Sequence, residues 1–208
     1  MAYFPSGKID LAAKFADQYF DRMAKASATI DRAQVEKAAK LLDQVAVAGK
    51  RIYSCGNGGS AAIANHLVCD CMKGIRTESN LRPQVVSLSS NIEIMTAISN
   101  DIGYDQVFRF QLESLAQPGD LLIAISSSGG SPNIAEVMVW AGENGVATIA
   151  MTGFSGGKAR EIADVSLHVD CDNYGIIEDL HQSLMHLLAQ YTRHNHICEP
   201  EKLGQIKF

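Results

Sequence analysis

"RIYSCGNGGSAAIANHLVCD" occupies residues 51–70 and carries a change of pattern in a small space. A short apolar run, Arg51 to Cys55, reads as a strand. "GNGGS" reads as a turn, and the residues from 61 to about 73 read as a helix. The helix carries His66 and Asp70 four residues apart, on one face. The same grammar repeats downstream. "GDLLIAIS" (119–126) is a near-continuous apolar run, as expected of a strand buried on both faces. The turn "SSGGSPN" and a helix over 132–144 follow it. Further strands are expected at 84–89, 146–153 and 165–169, with helices at 91–100, 107–116, 157–162 and 176–194. Strands that alternate with helices predict an α/β fold, a doubly wound, mainly parallel five-stranded sheet.

Upstream of Arg51 the period is helical throughout. Leu11, Phe15, Tyr19 and Met23 repeat every four residues. Val35, Ala38, Leu42 and Val45 continue after Asp31, a candidate N-cap, and Gly49 ends the run. The expected organisation is one domain over residues 1–208. Two N-terminal helices fill 1–48, the α/β core with its last helix fills 49–196, and 197–208 form a tail.

The chain has 208 residues and a net charge of -5, with 47% hydrophobic and 20% charged residues. This balance argues against a nucleic-acid partner, which calls for a basic domain with clustered Lys and Arg. No apolar run approaches the ~20 residues that cross a bilayer, so no membrane partner is expected. The N-terminus lacks the apolar core of a secretion signal, and the expected location is cytoplasmic. Five cysteines, an odd number, imply no disulfide framework. "CDC" at 69–71 points its two thiols to different helix faces, so buried free thiols are expected rather than a metal site.

Two turns lie where parallel sheets bind ligands, beyond the carboxyl ends of the strands. One is "SCGNGGS" (54–60); the other is "SSSGGSPN" (126–133). Both join glycines and small hydroxyl residues to the start of a helix. Glycines let backbone N–H groups approach an anion, serine hydroxyls add donors, and the helix start adds partial positive charge. Neither turn fits the nucleotide templates: there is no Gly-Lys-Ser/Thr, and "GNGGSA" is not G-x-G-x-x-G. A phosphate on a small molecule is the ligand this pattern suits.

The last helix holds "EDLHQSLMH", with Glu178, Asp179, His181 and His186. Charged groups in an otherwise apolar helix need a reason, since burying them unpaired is costly. Nitrogen and oxygen donors of this kind suit Zn²⁺. Taken alone, His66 and Asp70 equally fit a surface pair that supports its helix.

"SCGNGGS", "HLVCD", "ISNDIGYDQVF", "GDLLIAISSSGGSPN", "MTGFSGGK" and "EDLHQSLMH" together resemble the sugar isomerase (SIS) domain family, over roughly residues 35–195. Within it the chain is most similar to the phosphoheptose isomerases. The resemblance implies an aldose–ketose isomerase that interconverts sedoheptulose 7-phosphate and D-glycero-D-manno-heptose 7-phosphate through an enediol(ate). It implies that Ser60, Ser126, Ser127, Ser128 and Ser131 hold the substrate, with Asn57, Gly58 and Gly59 shaping the pocket. Asn100, Asp101 and Glu178 are implied to contact the sugar. It implies one zinc ion per subunit on His66, Asp70, Glu178 and His186, with Asp70 and His186 as the acid–base pair, in a homotetramer. Two positions depart from the family pattern: Asp70 stands for a Glu, and Glu178 for a Gln. Glu178 and His186 are ~12 Å apart along an unbroken helix, so one ion reaches both only if the side chains lean together. The alternative within the resemblance is a non-catalytic phosphosugar-binding protein that acts through protein contacts, as in replication initiation.

Overall fold

The computed structural model describes residues 4–207. Five strands form one parallel sheet: β1 (Arg51–Gly56), β2 (Gln84–Ser87), β3 (Leu121–Ser126), β4 (Ala147–Thr152) and β5 (Val165–His168). Their order is β2-β1-β3-β4-β5. The register is fixed by pairs such as Ile52 with Leu121 and Leu122 with Thr148. The expected doubly wound sheet is therefore present. Its topological switch point lies between β1 and β3, because β1 leads out to β2 on one side and the chain returns to β3 on the other.

Alternation along the strands divides the core into two layers. Ile52, Leu121, Ile123, Ile125, Ile149 and Met151 face one side. There they meet α2 (Arg32–Val47), α3 (Gly59–Cys69) and the long α8 (Tyr174–Asn195). Tyr53, Cys55, Leu122, Ala124 and Ala150 face the other side. They pack against α4 (Ile92–Asp101), α5 (Arg109–Leu115), α6 (Pro132–Glu143) and α7 (Gly157–Ile162). All six residues of β3 are buried, which is why that strand reads as an unbroken apolar run.

The helix ends follow from local chemistry. The Asp31 side chain accepts a hydrogen bond from the Ala33 N–H, as its capping role requires. Asn91 and Asn173 cap α4 and α8 in the same way. The strand expected from residue 119 starts at Leu121, because Gly119 has φ +89°. Beside it, Asp120 spends its carboxylate on the backbone N–H groups of Arg51 and Gln117, at 2.9 Å each. The helix expected to run to residue 73 changes character at Asp70 instead: Asp70–Ile75 form a π-helical turn. Such a turn admits one extra residue and re-aims the side chains at its edge.

All five cysteines are free; Cys55, Cys71 and Cys171 are buried, but Cys69 and Cys198 are exposed. Burial pushes the Cys71 thiol up to about 12. The N-terminal α1 (Ala12–Ala28) buries only Ala26. It leans on α8 through Tyr19, whose hydroxyl donates to Asp179 at 2.6 Å, and it leaves Leu11, Phe15 and Phe20 exposed.

Candidate active site

The two small-residue turns leave β1 and β3 at the switch point, side by side. The first runs from Gly56 into α3. Gly58 has φ +54°, a conformation glycine adopts without strain. Ser60, the second residue of α3, is buried. The second runs from Ser126 to Ser131, with Pro132 as the first residue of α6. Here Ser126 Oγ accepts from the Gly129 N–H at 3.1 Å, and Ser128 Oγ from the Gly130 N–H at 3.3 Å. The Ser131 side chain makes no capping bond to α6, so its hydroxyl and the open helix start are both available to an anion. The Ser127 hydroxyl is shielded from solvent and lacks a partner among the described residues, while its carbonyl accepts from the Gly153 N–H at 2.8 Å.

Gly129 has φ +65°. A methyl group there would run into the backbone carbonyl of Gly156. This close approach, with the Ala159 N–H donating to the Gly129 carbonyl at 2.9 Å, locks the serine loop onto the turn after β4.

Behind the first turn, α3 and α8 run side by side. His66, Asp70 and His186 converge there: one donor atom from each lies within 4.8 Å of the others. His66 Nε2 is 3.2 Å from Asp70 Oδ1, and His186 Nδ1 is 2.6 Å from Asp70 Oδ2. The rings of His66 and His186 meet edge to face, with centroids 5.1 Å apart. The Gln182 amide nitrogen lies 2.9 Å from His186 Nε2. An amide N–H₂ can only donate, so His186 Nε2 accepts and its proton sits on Nδ1, facing Asp70. Two imidazoles and a carboxylate match the donor preferences of Zn²⁺ and its first-row neighbours.

Glu178 is not part of this group. α8 is unbroken from Tyr174 to Asn195, so Glu178 sits two turns above His186, and its carboxylate packs against the backbone of Gly59. In this arrangement Glu178 borders the first turn, two turns of α8 away from His186. Asn100 and Asp101 close α4 as exposed residues bonded to each other at 2.7 Å. The residue of that segment that touches the turns is Tyr104, whose hydroxyl donates to Asn57 Oδ1 at 2.8 Å.

Sequence reasoning missed Gln182, although its i,i+4 spacing to His186 is a usable signal. It also missed Asn133, the second residue of α6; His181, named among the groups of the last helix, was given no role of its own. His181 is fully buried on α8. Neither ring nitrogen has a partner of ordinary hydrogen-bond geometry among the described residues. Burial pushes its pKa down to about 4, only partly offset by the Thr152 backbone, and the nearby His168 pushes it further the same way.

The family model for the SIS domain matches residues 14–153. The chain is 39% identical over 182 residues to a phosphoheptose isomerase of Nitratidesulfovibrio vulgaris, covering 88% of this chain and 83% of that one. It is 40% identical over 156 residues to a phosphoheptose isomerase of Aliarcobacter butzleri, covering 75% of this chain and 82% of the relative. The solved structure of a phosphoheptose isomerase from Neisseria gonorrhoeae superposes with a TM-score of 0.78 at 33% identity, over 87% of this chain and 95% of that one.

Proposed function

The chain belongs to the SIS domain family, and within it to the phosphoheptose isomerases; we propose that it interconverts sedoheptulose 7-phosphate and D-glycero-D-manno-heptose 7-phosphate in the crevice between β1 and β3. The observation that carries this reading is the convergence of His66, Asp70 and His186, on helices that start at or beside the two anion-binding turns.

The serine loop anchors the phosphate through Ser126, Ser128, Ser131 and the start of α6, while Ser60 and the α3 start flank it. The buried Ser127 holds the loop in shape through its backbone. Anchoring at one end supplies binding energy far from the reacting carbons and holds them in place. Asn57, Gly58, Gly59, Glu178, Asn100 and Asp101 line the path of the sugar hydroxyls.

Isomerisation moves a proton between C1 and C2, which needs a group that takes the proton and one that returns it. Asp70 and His186 do this work. The Asp70 carboxylate accepts from His186 Nδ1, and Gln182 holds the ring by its other nitrogen, so the two residues are fixed in orientation relative to each other. His66 steadies the other Asp70 oxygen. His66, Asp70 and His186 would hold a zinc ion, which would supply Lewis-acid polarisation of the substrate carbonyl.

Exposed Phe15 and Phe20 on α1 and Leu11 just before it, with Leu187 and Tyr191 on α8, support a homotetramer in which these faces are covered. A monomer mass in light scattering would refute it. Free cysteines support a reducing, cytoplasmic location, and no helix among the described residues is long and apolar enough to cross a membrane.

The test is an NMR assay of sedoheptulose 7-phosphate in deuterated water, with elemental analysis of protein purified without chelator. Deuterium entering at the C1/C2 positions and about one zinc ion per subunit are the expected results. Tight binding without exchange would overturn the enzymatic reading and favour a phosphosugar-binding protein.

A further inference from the structure

Across the switch point, two side-chain amides face each other. Asn57 Nδ2 donates to Asn133 Oδ1 at 3.0 Å, and Asn133 Nδ2 donates to Asn57 Oδ1 at 2.9 Å. The two bonds close a ring between the turn after β1 and the start of α6, over 76 residues of sequence. Asn133 is 1% exposed. Asn57 Oδ1 also accepts from the Tyr104 hydroxyl. The Tyr104 hydroxyl thus ties Asn57 from a third element, beside its two bonds to Asn133.

The other ties along this edge of the sheet are different in kind. Ser89 Oγ accepts from the Gly56 N–H and donates to the Gly56 carbonyl, joining the turn after β2 to the first turn. The serine loop is held to the turn after β4 through backbone bonds. Among the side-chain hydrogen bonds of the described residues, the amide pair is the one that joins the two anion-binding turns to each other. One of those turns carries the phosphate-binding hydroxyls. The other is continuous with α3, which carries His66 and leads to Asp70.

We infer that Asn133 is a positioning residue for the isomerase reaction: paired with Asn57, which Tyr104 also ties, it sets the distance between the phosphate anchor and the proton-transfer groups. The inference rests on the reading of this crevice as the sugar-phosphate site. It predicts a particular split. Removing the pair leaves each turn able to bind an anion but lets the reacting end of the substrate drift from Asp70 and His186. A drift of ~1 Å can lower a rate on the order of 100-fold.

The test measures kcat for sedoheptulose 7-phosphate and competitive inhibition by inorganic phosphate in the zinc-loaded protein. Asn133→Ala is expected to lower kcat by about 10- to 100-fold while the phosphate inhibition constant moves by less than about threefold. Asn133→Asp sets a carboxylate oxygen against Asn57 Oδ1, so it is expected to be equally impaired at about pH 8. Burial raises that carboxyl's pKa. Once protonated it donates to Asn57 Oδ1 as the amide did, so activity relative to the unsubstituted protein is expected to recover toward about pH 5. Tyr104→Phe, a change at an exposed position that folding tolerates, is expected to lower kcat by about threefold alone and by nothing further on the Asn133→Ala background. The inference is overturned by a kcat within about twofold of normal in Asn133→Ala, by phosphate affinity that falls in step with kcat, by an Asn133→Asp deficit that does not ease on acidification, or by additive effects of Tyr104→Phe. A protein without substitutions that neither binds nor turns over the sugar would take down the functional reading and this inference together. Failures confined to the variants overturn this inference alone.

Discussion

His186 Nδ1 and Asp70 Oδ2 lie 2.6 Å apart, although 116 residues separate them in the chain. The contact joins the end of the first crossover helix to the middle of the last helix, and it holds the candidate metal and proton-transfer groups together. Asp70→Asn keeps the shape but removes the charge and one acceptor. Turnover is expected to fall by at least about 100-fold, and zinc content to drop in elemental analysis. His186→Gln is expected to behave alike. Asp70→Glu, one methylene longer, is expected to keep or raise activity on sedoheptulose 7-phosphate. Full activity in both Asp70→Asn and His186→Gln would show the acid–base assignment to be wrong.

Ser126 and Ser128 hold the serine loop by accepting from the N–H groups of Gly129 and Gly130, and their own hydroxyl protons remain to donate. Losing a hydrogen bond to a charged group costs about 1.5–3 kcal/mol. The Ser126→Ala, Ser128→Ala double variant is therefore expected to bind sugar phosphate at least about 10-fold more weakly in calorimetry. Its melting temperature should move little.

Neighbouring glycines in that loop separate two effects. Gly129 has φ +65° and no room for a methyl group against Gly156, whereas Gly130 opens on empty space. Gly129→Ala is expected to abolish phosphate binding and lower the melting temperature, while Gly130→Ala does neither. Equal effects from the two, in thermal melts and phosphate titrations, would show that the packing at Gly156 does not hold the loop.

His181 supplies a pH dependence of stability. Its folded-state pKa lies near about 4, below the ordinary value of about 6.5 for an unfolded chain. Between these values the unfolded chain binds the extra proton and the folded one does not. Stability from this group is therefore complete above about pH 6.5 and is lost as pH falls toward about 4, by up to roughly 3 kcal/mol. His181→Leu is expected to flatten that part of the denaturation profile. An unchanged slope in the variant would show that another group carries it.

The sheet was legible because each strand is an apolar run bounded by glycine or capping residues, and the helix at 157–162 falls where the periodicity places it. The His66–Asp70 pair was legible because four residues of helix put both on one face. His186 came in through the family pattern, not through spacing. Glu178 stands apart from the three converging groups for a reason visible beforehand, since two turns of unbroken α8 separate it from His186. The π turn at Asp70 left no mark in "CDCMKGI", because a backbone that gains one residue per turn keeps the same side-chain chemistry. Asn133 and Tyr104 were illegible in a different sense. Their bonds to Asn57 span 76 and 47 residues, and no local pattern encodes a contact of that range.

The separation of Asp70 and His186 in the chain also orders events in time. Contacts this distant form only after the intervening loop has closed, which folding defers. α8 follows all five strands in the chain, so the three-residue group does not exist until the whole sheet has been made. A metal ion held by this group would then meet a preformed site on the native side of the folding barrier. Stopped-flow measurements are expected to show refolding at the same rate with and without the ion, and unfolding slowed by it. In its kinetics, the centre acts as a latch that is set after the protein has closed.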